Sequence, residues 1–578
     1  MPESDSTFND LQSTTTMNKL FSGAIVLLVF CLLMPLASCD RLLSVETDRF
    51  LSSDKNLLTS PNDTVFSILG ILSKMQKLAD RNVLTGELRA DLMDVTVNSS
   101  NEIRDLNNFT VDPKTSPFAD VRDYYAVINN CNYFISKADT MVTVRGERVY
   151  KKEINAAKAI RVWTYLQLGL NYGEATYYSD PVLSVNDLEK NYPLLSYPQL
   201  IDSLIEDVED MEKVNPLVNT AMPDYGEING VISNLLFIDP LFLLGDLYLW
   251  KASQTGNKAD YESAASSYAK LIEKNLYIVE KGYAVVWQDG TYSYWMDSWS
   301  NSLTNTKSSW ELISLMKLVA SPFDGTPSKL GSMCKNFELC GSTAYQKISD
   351  DQIYCFKELS GTIKYTTGDL RAIRLFDKRI TNSYLNESQM LINKYDENVI
   401  LIYRVALLYL RYAEAVNRAG KPNLAFAVLK YGLNASTLAL IPAGEISDQK
   451  PYVTLFQSSD LVNSTYFDYN MGVHSRGSGS SESNAMYIIP DYTPASTDST
   501  DMLAAKTDSI NFVEGSICDE LALETAFEGN RFQDLIRMSD HRKDPTFLAK
   551  RVAAKHSDNY DYYLTLLSDR TKWFISPR

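Results

Sequence analysis

The chain has 578 residues, a formal net charge of −17 from 72 Asp+Glu against 55 Lys+Arg, and three His. The acidic balance argues against nucleic acid and against a polybasic membrane contact, because both depend on Lys and Arg displacing counterions or meeting anionic headgroups. The three His, His474, His541 and His556, have no zinc-ligand spacing, which disfavours a His-based metal site and His-driven acid–base catalysis. Hydrophobic residues at 45% and charged residues at 22% are the proportions of a packed globular body. Tyr is the dominant aromatic at 35 residues and suits wet packing, with an apolar face and a polar tip.

From Leu20 to Leu36 the chain is almost wholly apolar, short for a membrane span and preceded by Lys19, as in a secretory leader. It ends in Leu36-Ala37-Ser38-Cys39, which resembles a bacterial lipoprotein cleavage site. That resemblance implies a signal peptide over 1–38, acylation of Cys39 and a lipidated tether over 39–55. Several acyl chains, at about 0.8 kcal/mol per buried CH₂, would hold the mature chain on a bilayer. The alternative is an uncleaved transmembrane anchor. Met17 is a more natural start than Met1, since Glu3, Asp5 and Asp10 stand where basic residues are expected. Removing Cys31 and Cys39 leaves the odd set Cys131, Cys334, Cys340, Cys355 and Cys518. Cys334 and Cys340 either bridge in an oxidising compartment or stay as buried thiols. No CxxC occurs, so a thioredoxin-like role has no support.

Helical spacing then recurs along the chain. Ile160, Trp163, Gln167 and Leu170 form a stripe with one polar interruption, and Leu200, Leu204, Val208 and Met211 form a cleaner one. Leu241, Leu244, Leu247 and Trp250 are followed, after a polar break containing Gly, by Tyr261, Ala265, Tyr268 and Ile272. Val405, Leu408, Tyr412, Ala415 and Ala419 end at Gly420-Lys421-Pro422, a helix stop, and Leu424, Val428 and Tyr431 resume the period. The stretches 235–275 and 400–433 therefore read as helix–turn–helix pairs of tetratricopeptide length, which stack because neither buries its apolar face alone. Between them, 280–400 holds short apolar runs among Gly, Ser, Thr and Pro, with Glu311-Leu312-Ile313-Ser314-Leu315 strand-like. The stretch 436–512 is rich in Ser, Thr, Asp and Gly. The expected fold class is mainly α: a tetratricopeptide-like helical-pair scaffold with a long, irregular, loop-rich insertion containing minor β. Scaffold segments are placed at 56–279, 401–435 and 513–578, with insertions at 280–400 and 436–512.

Several segments resemble those of the SusD/RagB nutrient-binding lipoproteins of the Bacteroidetes outer membrane. Tyr124-Tyr125-Ala126-Val127-Ile128-Asn129-Asn130 is similar to that family's first aromatic–Ile–Asn helix. Ala157 to Leu168, followed by Asn171-Tyr172-Gly173-Glu174-Ala175, resembles its next signature, with Val162 for the usual Ala and Thr176 near the usual Pro. Tyr197 to Val208 resembles the helix after it. Ile402-Tyr403-Arg404 with Leu410-Arg411-Tyr412-Ala413-Glu414-Ala415-Val416-Asn417 is similar to the family's AEA-x-N helix. The most specific element is Glu524-Thr525-Ala526-Phe527-Glu528-Gly529-Asn530-Arg531-Phe532-Gln533-Asp534-Leu535-Ile536-Arg537. The C-terminal Trp573-Phe574-Ile575-Ser576-Pro577-Arg578 departs from the family's usual ending. The resemblance implies a surface lipoprotein that captures a glycan or peptide, lids a SusC-like TonB-dependent transporter and hands the ligand over, without catalysis and without a cofactor. Glu528, Arg531, Asp534 and Arg537 have the spacing of a charged helical ladder and are read as structural, pairing with Arg404, Arg411 or Glu414.

Glycan capture needs aromatic faces and a few convergent polar groups. Tyr294, Trp295 and Trp299 lie in a polar stretch and are candidates, with packing between insertion and scaffold as the alternative. The loop after the first long helix supplies Arg89, Asp91 and Asn98, with Arg89 and Asp91 alternatively a structural ion pair. It lacks the aromatic platform of the starch-binding member, which favours a ligand held more by hydrogen bonds. Two rivals remain: a tetratricopeptide adaptor or assembly lipoprotein that binds a protein, and a glycoside hydrolase. The latter needs two carboxylates across a cleft, and no motif picks out such a pair.

Overall fold

The computed structural model describes residues 61–578 apart from 139–142, 145–146, 149–150, 215–221, 229, 281–284, 289–290, 295–310, 320–324, 359, 383–386, 396–398 and 458–466. The leader, Cys39, the tether, Trp295 and Trp299 lie outside these residues. Among the described residues no helix is long and apolar enough to cross a membrane.

The first helices are α1 (Pro61–Met75) and α2 (Ala79–Glu87), followed by a short strand β1 (Met93–Val95) and the two-turn helix α3 (Asn101–Asn107). Then come α4 (Arg122–Lys137), α5 (Lys151–Tyr172), α6 (Tyr197–Val214), α7 (Pro240–Thr255) and α8 (Lys258–Asn275). The stripe residues Ile160, Trp163 and Leu170 of α5 and Leu200, Leu204, Val208 and Met211 of α6 are all buried, and the two helices pack on each other. Helix α7 starts where its sequence dictates. Pro240 opens it, and the Asp239 carboxylate accepts from the Leu241 and Phe242 N–H groups at 2.9 and 3.2 Å. It ends at Gly256, which takes the left-handed conformation at φ 70°, and Asn257 caps α8 at once. At the seam a small residue meets an aromatic one. A Cβ on Gly245 would stand 2.4 Å from the Tyr268 ring, whose hydroxyl donates to Asp246 Oδ1 at 2.6 Å.

The second pair differs from expectation at its start. Residues 399–404 are a strand, not the first helical turn. The run Val399-Ile400-Leu401-Ile402-Tyr403 is apolar and rich in β-branched residues without a helical period, and it is buried together with Arg404. It pairs antiparallel with Leu312–Lys317, the strand expected from the Glu311–Leu315 run. Helix α9 (Val405–Arg418) follows directly, ends before Gly420 at φ 92°, and α10 (Pro422–Lys430) resumes at the Pro. Helices α8, α9 and α10 stack in sequence, with Phe242 and Tyr403 stacked at 3.9 Å between the pairs. The tetratricopeptide-like, mainly α scaffold is thus present, and among the described residues its strands form two-stranded pieces.

The boundary placed at 512 falls inside a single 26-residue helix, α11 (Ser499–Glu524). Its first turns are exposed, Met502 and Leu503 included, and carry no buried stripe that would reveal the period. It is buried from Val513 onward, where it packs on α9 and α10. The chain closes with α12 (Arg531–Arg542), α13 (Thr546–Lys555) and α14 (Tyr560–Leu567). Cys334 and Cys340 form no disulfide; Cys340 Sγ lies 3.8 Å from Asp94 O.

Candidate functional site

The signature segment 524–537 builds the centre of the scaffold. The register of Leu312 against Arg404 places the Arg404 guanidinium beside Glu311. Arg404 donates to Glu311 Oε1 at 2.8 Å, to Glu524 Oε1 at 2.9 Å and to Glu528 Oε2 at 2.9 Å. The same Glu311 carboxylate accepts from the Ala406 N–H at 2.9 Å, so it also caps α9. Arg476, from the Ser/Gly-rich stretch, bridges Glu311 and Glu524, and Arg371 joins Asp369 and Glu520 to Glu524. Burial alone would raise the Glu524 carboxyl, but Arg476, Arg404 and Arg371 around it hold it far below the usual range. Each of these acids is matched by a buried base, which is the arrangement of a structural network.

The four charged residues at ladder spacing do not form one ladder. Glu528 precedes α12 and takes Lys394 and Arg404. The backbone turns there, at Phe527 (φ 65°) and Gly529 (φ 91°), so the helical period starts only at Arg531. Arg531 reaches Asp91 through two bonds of 2.7 Å. Asp534 takes Arg411 and Arg537, and Arg537 also holds Glu414. One local pair, Asp534–Arg537, matches the ladder geometry. The other partners come from distant segments that no local period reveals.

Glu514, buried between Arg418, Arg542 and His541, gives a pH prediction. Burial would raise its carboxyl, but Arg418 and His541 bring it from 4.5 down to about 2. A depressed carboxylate contributes stability that is present above its unfolded pKa and lost as pH falls through its folded one. Unfolding followed by circular dichroism should therefore show a stability loss between pH 4.5 and about 2 that Glu514→Gln flattens. An acid slope unchanged by that substitution would contradict this role.

The loop candidates separate into two kinds. Arg89 and Asp91 are not ligand groups at the surface: both are 1% exposed. Arg89 donates to Thr85 O at 2.9 Å, Trp573 O at 2.8 Å and Asn171 Oδ1 at 2.6 Å, with its guanidinium 4.4 Å from the Phe532 ring centre. Asp91 is taken up by Arg531, so the Arg89–Asp91 ion pair is not formed either. Arg89 is satisfied by three neutral acceptors and Asp91 by Arg531, and the two tie the segment after α2 to Asn171, Trp573 and Arg531.

Asn98, by contrast, is exposed, on a loop braced from below. Strand β1 pairs with Leu339–Gly341, Ser99 Oγ donates to Glu338 O at 2.6 Å, and the Thr96 hydroxyl donates to Phe337 O. Asn98 Nδ2 donates to Asn336 O at 3.1 Å, and Arg104 of α3 reaches back to Val97 O at 2.6 Å. The loop therefore presents the Asn98 amide and the 88%-exposed Val97 from a preset backbone, which lowers the ordering cost of binding. Tyr294 ends a strand, Thr291–Tyr294, and pairs with Val285. The bracing from 336–338 was not foreseen, because nothing local in either stretch points to the other. Among the described residues no group of three or more His, Cys, Asp and Glu is placed to hold a metal ion.

No family model matches the chain. In sequence it is similar to a SusD-like protein of Formosa agariphila, 21% identical over 467 residues, which is 75% of this chain and 85% of that relative. In structure it is similar to a SusD superfamily protein from Bacteroides vulgatus, at TM-score 0.55 and 13% identity over 90% of this chain and 96% of that one. It is also similar to a SusD homolog from Bacteroides thetaiotaomicron, at TM-score 0.52 and 14% identity over 89% and 92% of the two chains. A third likeness is to NanU of Bacteroides fragilis, at TM-score 0.51 and 16% identity over 87% and 94%. The fold is that of the SusD superfamily.

Proposed function

We propose that the protein is a carbohydrate-binding, SusD-type nutrient-binding lipoprotein. It is anchored through Cys39 in the outer membrane, displayed at the cell surface, and acts as the lid of a SusC-like TonB-dependent transporter to which it delivers a glycan. The observation that carries this reading is the sequence likeness to a SusD-like protein along three quarters of the chain. The braced Asn98 loop suits it, since an exposed amide on a rigid backbone is a hydrogen-bonding group for sugar hydroxyls. The signature acids engaged with arginines suit a binding protein, because they form a scaffold and not a pair facing a cleft.

Two measurements on cells test the anchoring and the partner. Radiolabelled palmitate should enter the wild-type protein and not Cys39→Ser. Mild detergent extraction of the tagged protein should bring down a plug-containing β-barrel transporter in equal amount. A chain that takes no lipid, or that is isolated without such a barrel, would overturn the lid reading.

A further inference from the structure

We propose that the C-terminal ledge formed by His556, Tyr562 and Tyr563 is a second carbohydrate-contact surface, which extends the Asn98 loop into a site for an oligosaccharide. This rests on the carbohydrate-binding reading above and adds to it where a longer ligand lies.

Tyr563 is the fixed element. Its ring stacks on His556 at 3.8 Å and 17°, and its hydroxyl donates to Asn108 Oδ1 at 3.3 Å. Tyr562 packs edge-on against it at 5.1 Å and 85°, yet remains 58% exposed. Tyr562 thus offers most of a large aromatic ring to water, backed along one edge by the buried Tyr563. An exposed ring held that way is a ready platform for the apolar face of a sugar, at little conformational cost.

The ledge and the loop share a frame. Asn108 follows the C-terminus of α3, whereas Asn98 precedes its N-terminus, and a seven-residue helix is about 10 Å long. Arg104, midway along α3, bonds to Val97 O on one side and receives the Asn108 N–H on the other. Beneath them Lys555, next to His556, donates to Leu88 O, Met93 O and Asn107 Oδ1 at 2.6, 3.1 and 2.8 Å. The ledge and the Asn98 loop are therefore braced by the same short helix, Tyr563 bonding to Asn108 beyond its C-terminus and Asn98 standing before its N-terminus. Burial, with Lys555 alongside, lowers His556 to about 3, so the imidazole stacked on Tyr563 is neutral.

The test is calorimetry of the wild-type chain and of Tyr562→Ala against neutral gluco-, manno-, xylo- and galacto-oligosaccharides of increasing length. Wild-type affinity should rise with length in one series. Tyr562→Ala should weaken the longest member by about tenfold, a hot-spot-sized loss, and leave the disaccharide and the melting temperature unchanged. Tyr562→Phe should bind as the wild type does. A Tyr562→Ala protein that binds every length normally would overturn the ledge and leave the carbohydrate reading standing. A wild-type protein that binds no member of any series would remove both.

Discussion

Arg404→Ala should abolish cooperative folding or lower the melting temperature far more than any surface change. Arg404 is fully buried, and its guanidinium serves Glu311, Glu524, Glu528 and the Glu524 carbonyl together. Truncation leaves Glu311, Glu524 and Glu528 one buried cation short, and removing one partner of a buried ion pair costs about 3–5 kcal/mol. That is a large part of the total stability of about 5–15 kcal/mol typical of a folded domain. The damage also reaches local structure. Glu311 caps α9, and with Arg404 gone its negative charge is opposed chiefly by Arg476. Arg404→Lys should not restore the wild type, because one ammonium cannot reproduce a planar fork with several donors. Thermal unfolding decides the matter. A melting temperature within a few degrees of wild type for Arg404→Ala would show that this network is not what holds the insertion strand to the signature segment.

Gly86→Ala should be nearly as damaging, for a steric reason. A Cβ at Gly86 would stand 1.9 Å from the Gly529 carbonyl oxygen and 2.4 Å from its carbon. Both are backbone atoms, so no side chain can swing aside. Gly529 is itself committed, at φ 91°, and its N–H donates to Glu87 Oε1 at 2.7 Å. Helix α2 must therefore shift away from the turn that opens α12, and the bond to Glu87 goes with it. Overpacking with loss of a buried hydrogen bond costs about 3 kcal/mol or more. Gly70→Ala is the control. It lies exposed in α1 with nothing within 4 Å of a new Cβ, and the same change there should stabilise by about 0.5–1 kcal/mol. If Gly86→Ala melts like Gly70→Ala, the backbone contact between the two motifs is not tight.

These two positions also show what local pattern reveals and what it leaves hidden. The helical pairs were legible because a period of 3.6 residues and a Gly-Lys-Pro stop are local signals. Tyr403 and Arg404 looked helical only by proximity to α9. The apolar run that makes them a strand was visible, but its partner, Leu312–Lys317, lies across a long insertion. Part of the charge pairing was legible: Arg404, Arg411 and Glu414 were expected to meet the signature segment, and they pair with Glu528, Asp534 and Arg537. Glu528 and Arg531 were evident as motif residues, yet nothing local marks Lys394, Arg371 and Arg476, or Glu311 beside its strand-like run, as charge partners. Arg89 and Asp91 were misplaced for the same reason. In sequence they resemble a polar loop, and their burial is created by Asn171, Trp573 and Arg531 arriving from far along the chain. Asn98 kept its exposed place because it follows the end of strand β1, where the chain must turn outward.

The most direct test of the account is binding by the purified chain lacking residues 1–38, on a broad glycan array and then by calorimetry, with each bound glycan recovered and analysed. The account predicts saturable binding to one class of glycan, recovered intact. Failure to bind any glycan, or recovery of shortened products, would contradict it.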